Sequence, residues 1–312
     1  MIETIAQAAL PVGEQFYIKR NRISNGQGPR VCVVTGTHGD ELEGQYVCYL
    51  LSSFLQQHIG ELTGTVDIYP AINPLGIDSI TRSVPTFDID MNRTFPGNRD
   101  GILPEYLAAK IMGDISGADI CVDIHASNIY LREMPQIRIS QPSSATLLPY
   151  AKMLNVDFVW IHSAATVLES TIAHSLNAIG VKTLVVEMGV GMRITKEYAV
   201  NLFHGLLNLM SKIGLYHGKV NAVIRTPVIS CENHEVGFLN ANVAGIFVPV
   251  SGLFGQYVSA GQHLGDIVDP LTGQVRQSVN AVCDGLLFTI REYPVVSPGS
   301  LLGRILEGGG LA

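Results

Sequence analysis

Thr37-His38-Gly39-Asp40-Glu41 puts an imidazole and a carboxylate three positions apart, directly after the apolar run 31–35. That is half of a metal site. Catalytic zinc commonly takes three protein ligands from His, Asp or Glu and keeps a fourth position for water. His38 and Glu41 are the first two candidates. Residues 119–125 are a second apolar run, and it ends on His125, the expected third ligand, with Asp123 placed to orient a neighbouring group. A third run, 183–186, ends on Glu187. A carboxylate there is costly unless paired or functional, and it suits a base that takes a proton from metal-bound water and returns it to a leaving amine. The bland alternatives are a plain glycine turn at 36–39, a satisfied core histidine at 125, and an ion pair of Glu187 with Arg193 or Lys196.

Between these runs lies Asp88-Ile89-Asp90-Met91-Asn92-Arg93-Thr94-Phe95-Pro96-Gly97, with Arg82 upstream. Asn92 beside Arg93 can clamp a carboxylate, because a guanidinium offers a bidentate fork and the amide adds a donor. The competing reading is a loop tied by ion pairs of Arg93 with Asp88 or Asp90.

The elements that must carry these groups alternate. Strands are expected at 31–35, 65–69, 119–125, 136–140, 157–162 and 182–187. Helices are expected at 42–58, 104–116, 143–153, 170–179 and 195–213, the second opened by Pro104. Pro70 and Pro74 are expected to exclude regular structure, and a long loop to run from 75 to about 101. This alternation predicts an α/β catalytic domain over 1–219, a mixed, mostly parallel sheet flanked by helices. Such sheets bind ligands beyond the carboxyl ends of their strands, where His38, Glu41, His125 and Glu187 fall.

From 220 to 312 helical periodicity stops and lysine is absent. Residues 245–250 resemble 285–290, and 258–267 resemble 296–305. Two similar halves predict a small all-β, barrel-sandwich-like domain with pseudo-twofold symmetry. It resembles biotinyl and lipoyl domains, whose carrier role needs a lysine; composition excludes that role and leaves a structural or pocket-shaping one.

The 312 residues, 47% hydrophobic and 15% charged, can bury a full core. A net charge of -7 without a Lys/Arg cluster argues against nucleic acid. Cys32, Cys48, Cys121, Cys231 and Cys283 are odd in number and lack C-x-x-C spacing, which suggests a reducing compartment. Residues 1–11 do not read as a signal peptide, and no run of 18 apolar residues suggests a membrane span. A cytoplasmic protein is expected, with a second copy of the chain left open as a partner.

Together, residues 37–41, 90–97, 123–125 and 186–189 resemble the succinylglutamate desuccinylase and aspartoacylase family of the zinc carboxypeptidase superfamily. The motifs come in the family's order, and the C-terminal β module extends the likeness over nearly the whole chain. The resemblance implies one zinc ion per chain on His38, Glu41 and His125, Glu187 as general base, and Asn92 with Arg93 on the substrate's α-carboxylate. It also implies Arg82 as the group that polarises the scissile carbonyl. Relatives selective for acidic amino acids carry an arginine shortly before the catalytic glutamate. Residues 169–181 contain none, and Lys182 is the nearest cation. The expected activity is therefore hydrolysis of a small N-acyl amino acid or related carboxylate-bearing amide. The alternatives are a metallocarboxypeptidase acting on short peptides or dipeptides, and a non-catalytic small-molecule binding protein. His58, His162, His174, His204, His217, His234 and His263 are expected on the surface or in the core, His174 falling where the missing arginine would stand.

Overall fold

A computed structural model describes residues 1–162, 170–230 and 236–308. Glu169, Cys231 and His234 lie outside the described residues.

The chain opens on an antiparallel hairpin, β1 (Ile2–Ala9) and β2 (Gln15–Asn25), and continues through β3 (Arg30–Thr35), α1 (Glu43–Gln57), β4 (Gly64–Tyr69), α2 (Pro74–Ser79), α3 (Leu103–Ile115) and β5 (Ile120–His125). Then come β6 (Leu131–Ser140), α4 (Ser144–Ala151), β7 (Phe158–His162), α5 (Ile172–Ala178), β8 (Lys182–Gly189) and α6 (Lys196–Lys212).

Strands β4, β3, β5 and β8 pair in parallel and form the centre of a mixed sheet. Antiparallel β2 closes one side and antiparallel β6 the other. The centre is buried on both faces. Val31 and Val33 of β3 face a core with Val47, Leu51 and Leu55 of α1 and Leu202, Leu206 and Leu209 of α6. Cys32 and Val34, one residue out of step, face Leu107, Ile111 and Ile115 of α3 and Ile172 and Leu176 of α5. The spacing of four between Val47, Leu51 and Leu55 makes one stripe of α1 apolar. Truncating Leu51, which has no exposed surface, to alanine costs about 2–5 kcal/mol.

Pro74 differs from expectation. It opens α2 instead of excluding structure, because proline fits a helix's first turn, and the Asn73 side chain accepts from Gly76 N at 3.0 Å as the cap.

The last third contributes β9 (Val228–Ile229), β10 (Val236–Asn240), β11 (Gly245–Pro249), β12 (Tyr257–Val258), β13 (His263–Asp269), β14 (Gln274–Asn280), β15 (Gly285–Arg291), β16 (Val295–Val296) and β17 (Leu301–Glu307). β10, β17, β15 and β12 form one sheet, and β14, β13, β11 and β16 another. The repeat exchanges its short strands: β16 of one half completes β11 of the other, pairing Gly245 with Val296, and β12 completes β15, pairing Gly285 with Val258. Phe247, Ile267, Leu287 and Ile305 pack between the sheets. This is a sandwich; no closed barrel forms among the described residues.

Ten-residue β6 forks the large sheet. Its first residues, Leu131 to Glu133, pair with β15, and its last, Gln136 to Ser140, pair with β7. Pro135 and a bulge against β8 between Glu133 and Gln136 mark the fork. Hydrogen bonds thus run continuously from the parallel strands into the C-terminal sandwich.

Candidate active site

Three parallel strands deliver their polar ends to one place. After β3 the chain turns at Gly36, whose φ of 68° falls in the left-handed region that favours glycine. At Gly39 a Cβ would lie 1.9 Å from the Gly76 carbonyl carbon, so the turn packs directly on α2. His38 and Glu41 are thereby held over the sheet end, and β5 and β8 pair in the register that sets His125 opposite Glu187.

His38 Nδ1 lies 2.7 Å from Glu41 Oε1, and His125 Nδ1 lies 2.9 Å from Glu41 Oε2. All three side chains are buried, and one ligand atom from each falls within 4.8 Å of the others. The far nitrogen of each ring meets its own carboxylate: His38 Nε2 lies 3.0 Å from Asp90 Oδ1, and His125 Nε2 lies 2.9 Å from Asp123 Oδ2. Carboxylates in this position fix the tautomer and ring angle of metal-binding histidines.

Of the three carboxylates Glu41, Asp90 and Asp123, two hydrogen-bond a guanidinium, that of Arg82, which donates to Glu41 Oε1 at 2.9 Å and to Asp90 Oδ2 at 3.3 Å. The protein alone offsets the excess at the rings. Burial pulls both imidazoles down, but Glu41 and Asp90 outweigh it and push His38 up, while Asp123 and Glu41 push His125 well up. In return the rings hold Glu41 well below the usual carboxylate range against the effect of its burial. Two imidazoles and a carboxylate with surplus negative charge around them are a donor set that suits a divalent cation such as zinc.

Glu187 stands on the wall of a cavity of about 700 Å³ shared with His38, Glu41, Arg82, Asn92, Arg93 and His125. Burial pushes its carboxyl above the ordinary value of 4.5, and the nearby Arg138 opposes that rise. Arg138 Nη1 lies 3.3 Å from Glu187 Oε1. Arg193, offered above as a partner for Glu187, sits 3.9 Å from Glu292 instead.

Asn92 and Arg93 occupy a single turn of 3-10 helix at Met91–Arg93, capped by Asp90 Oδ1 accepting from Asn92 N at 2.8 Å. Asn92 is buried: its Oδ1 accepts from Ile172 N at 3.0 Å, and its Nδ2 sits 3.5 Å from His125 Nε2. Arg93 is exposed at the cavity, where its Nη1 donates to the Asn92 carbonyl. Asp90 and Asp88 are engaged elsewhere, with His38 and Arg82 and with Ser83 Oγ.

Sequence reasoning missed four groups. Asp90 entered it only as a partner for Arg93. Arg138 reaches the cavity from β6, so an arginine does approach Glu187, although residues 170–181 supply none. Glu133 and Arg304 line the same wall. His162 and His174, assigned above to surface or core, also line it, and burial together with Arg138 pulls the His162 imidazole down. The available signal was charge inside apolar strands, as at Arg138 between Ile137 and Ile139.

Residues 27–213 match the model of the succinylglutamate desuccinylase/aspartoacylase catalytic domain. The chain is 26% identical over 309 residues to the N-alpha-acetyl-L-2,4-diaminobutyric acid deacetylase of Halomonas elongata, covering 91% of this chain and 84% of that protein. Among solved structures it resembles the product-bound ectoine utilization protein EutE (DoeB) of Ruegeria pomeroyi, with a TM-score of 0.82, 20% identity and coverage of 96% and 92%. It also resembles a succinylglutamate desuccinylase/aspartoacylase from Rhodobacter sphaeroides, with a TM-score of 0.79, 25% identity and coverage of 97% and 93%.

Proposed function

The chain belongs to the succinylglutamate desuccinylase/aspartoacylase family, and on that footing we propose that it is a zinc-dependent hydrolase of the amide bond in small N-acyl amino acids. One observation carries the reading: a three-membered ligand set, a mostly buried carboxylate and an exposed arginine share one cavity. His38, Glu41 and His125 would hold the ion. When bound, zinc supplies Lewis acidity, lowering the pKa of a water to about 7 and polarising a carbonyl oxygen.

The chain's own groups do the rest. Glu187, lifted by burial, takes the proton of the attacking water and delivers it to the departing amine nitrogen. Arg82, with 43% of its side chain exposed, can swing from Glu41 and Asp90 toward the developing oxyanion. Arg93 presents its remaining N–H groups to the substrate carboxylate, while Asn92, fixed by Ile172 N, orients the turn that carries it. Asp90 and Asp123 keep the imidazoles in one tautomer.

The similarity to a deacetylase makes N-acetyl amino acids, N-acetyl-2,4-diaminobutyrate included, the first substrates to try. The test is a chelator-controlled hydrolysis screen over N-acyl amino acids and dipeptides. Turnover of N-acyl amino acids that stops with chelator and returns with zinc is expected. No turnover by zinc-loaded protein would sink the proposal, and preference for dipeptides would replace it with the peptidase reading.

A further inference from the structure

Glu133 lies at the fork of β6, its Cα paired with that of Thr289 on β15, and it is 1% exposed. Both oxygens are occupied. Oε1 accepts from Arg304 Nη1 at 2.7 Å and from Arg138 Nη2 at 3.3 Å, and Oε2 accepts from Thr289 Oγ1 at 2.9 Å and Gln136 Nε2 at 2.5 Å. Arg138 is divided between this carboxylate and Glu187, 3.3 Å from its Nη1. Both guanidiniums lie against Trp160, the chain's only tryptophan, at 5.5 and 5.9 Å.

A long arginine side chain steadies a neighbour only if it is itself held, since ordering it has an entropic cost. Trp160 and Glu133 hold Arg138, and two residues of the C-terminal strands hold Glu133. A plain fastening between modules would be equally buried and saturated, but it would have no reason to aim a shared guanidinium at the cavity's carboxylate. We propose that Glu133, gripped by Thr289 and Arg304, is a positioning residue that keeps Arg138 against Glu187 and makes the C-terminal sandwich part of the active site. The inference rests on the reading of Glu187 as the base.

The test uses the full zinc-loaded chain and the best N-acyl amino acid from the screen, with Trp160 emission recorded alongside. A misplacement of about 1 Å can cost on the order of a hundredfold. Glu133→Gln and Arg304→Met are therefore expected to lower kcat by at least about tenfold, with KM within about twofold. Arg304→Lys should recover part of the loss, and Trp160 emission should shift in both damaging variants. If Arg304→Met does not fold, Thr289→Val, which removes one hydroxyl, decides through a kcat loss of about fivefold, the equivalent of one hydrogen bond of about 1 kcal/mol. Folded variants that keep kcat within twofold overturn the proposal, as do losses that only track the folded fraction. Absence of turnover in the wild type, or wild-type turnover by Glu187→Gln, would instead sink the function proposed above. Trp160 emission then still decides whether the network is coupled across the fork: a spectrum unchanged by Arg304→Met overturns it whatever the activity.

Discussion

Around Asp67, three guanidiniums close on one fully buried carboxylate; around Glu41, two imidazoles and one guanidinium meet three carboxylates. Arg22 and Arg30 hydrogen-bond Asp67 at 2.7 to 2.8 Å, Arg20 Nε stands 3.6 Å away, and Arg20 also binds Glu3 and Asp114. Of the described residues lining the cavity, none belongs to the Asp67 cluster. Its charges are spent on one another, so it pins β2, β3 and β4 together and has little left for a ligand. Among the described residues the Asp67 cluster leaves one donor, Arg20 Nε, buried without a hydrogen-bond partner, whereas around Glu41 three oxygens are left so, Thr37 Oγ1, Asp40 Oδ1 and Asp123 Oδ1. Balanced charge marks a structural cluster, and a surplus of acceptor oxygens marks one that can take a guest.

Substitutions should separate the two. Glu187→Gln is expected to lower kcat by about 10²- to 10⁴-fold with the fold intact; wild-type turnover in zinc-replete protein would refute the base. Asp67→Asn removes the buried carboxylate shared by three guanidiniums, leaving Arg22 and Arg30 without their carboxylate partner while Arg20 keeps Glu3 and Asp114, and should cost about 3–5 kcal/mol in denaturant unfolding, with kcat per folded molecule unchanged. A loss of activity without loss of stability would break the contrast. Arg82→Ala should lower kcat by about 10²-fold, the loss expected for one oxyanion donor, with a smaller effect on KM. Arg93→Ala should act mainly on KM, by about tenfold for an exposed carboxylate contact.

The smallest effect is in the pH dependence of stability, where the two carboxylates have opposite signs. Burial pushes Asp67 up, but Arg22, Arg30 and Arg20 outweigh it and hold it below the ordinary 3.8. Its stabilisation is complete above 3.8 and is lost as pH falls through the lowered folded value. Glu187 is raised above 4.5, so it costs nothing below that pH and destabilises as pH rises through its folded value. The Tm of Glu187→Gln at pH 7 should therefore be at or above wild type, and Asp67→Asn should flatten the acid side of the stability curve. A clear fall in the first Tm would contradict the sign.

The strand ends were legible because apolar runs rich in β-branched residues lead into His38 through a glycine turn and directly into His125 and Glu187, and alternation of strand and helix sets those ends side by side. The N-terminal hairpin was not legible. In β2 the inward alternation Phe16, Ile18 continues with Arg20, a buried charge that reads as a break in the pattern and is tolerable only because Glu3 and Asp114 receive it. The meeting of Arg138, Glu133 and Arg304 was hidden for another reason. It depends on a bulge in β6 and on β15 docking there from more than 150 residues away, which no local pattern encodes.

The strand exchange in the sandwich gives the chain an internal control. Within the repeat, Thr289 and Arg304 correspond to Pro249 and Asp266. The docked copy slips by one residue between Leu287 and Thr289, bringing Thr289 opposite Arg304, whereas Val248 stands opposite Asp266 in its twin. Asp266 bonds Ser278 and neighbours His263 on the outside of the molecule. One backbone position, present twice, therefore carries opposite charge according to whether its sheet is welded to β6. The scaffold is indifferent to that sign; the neighbour across the weld is not.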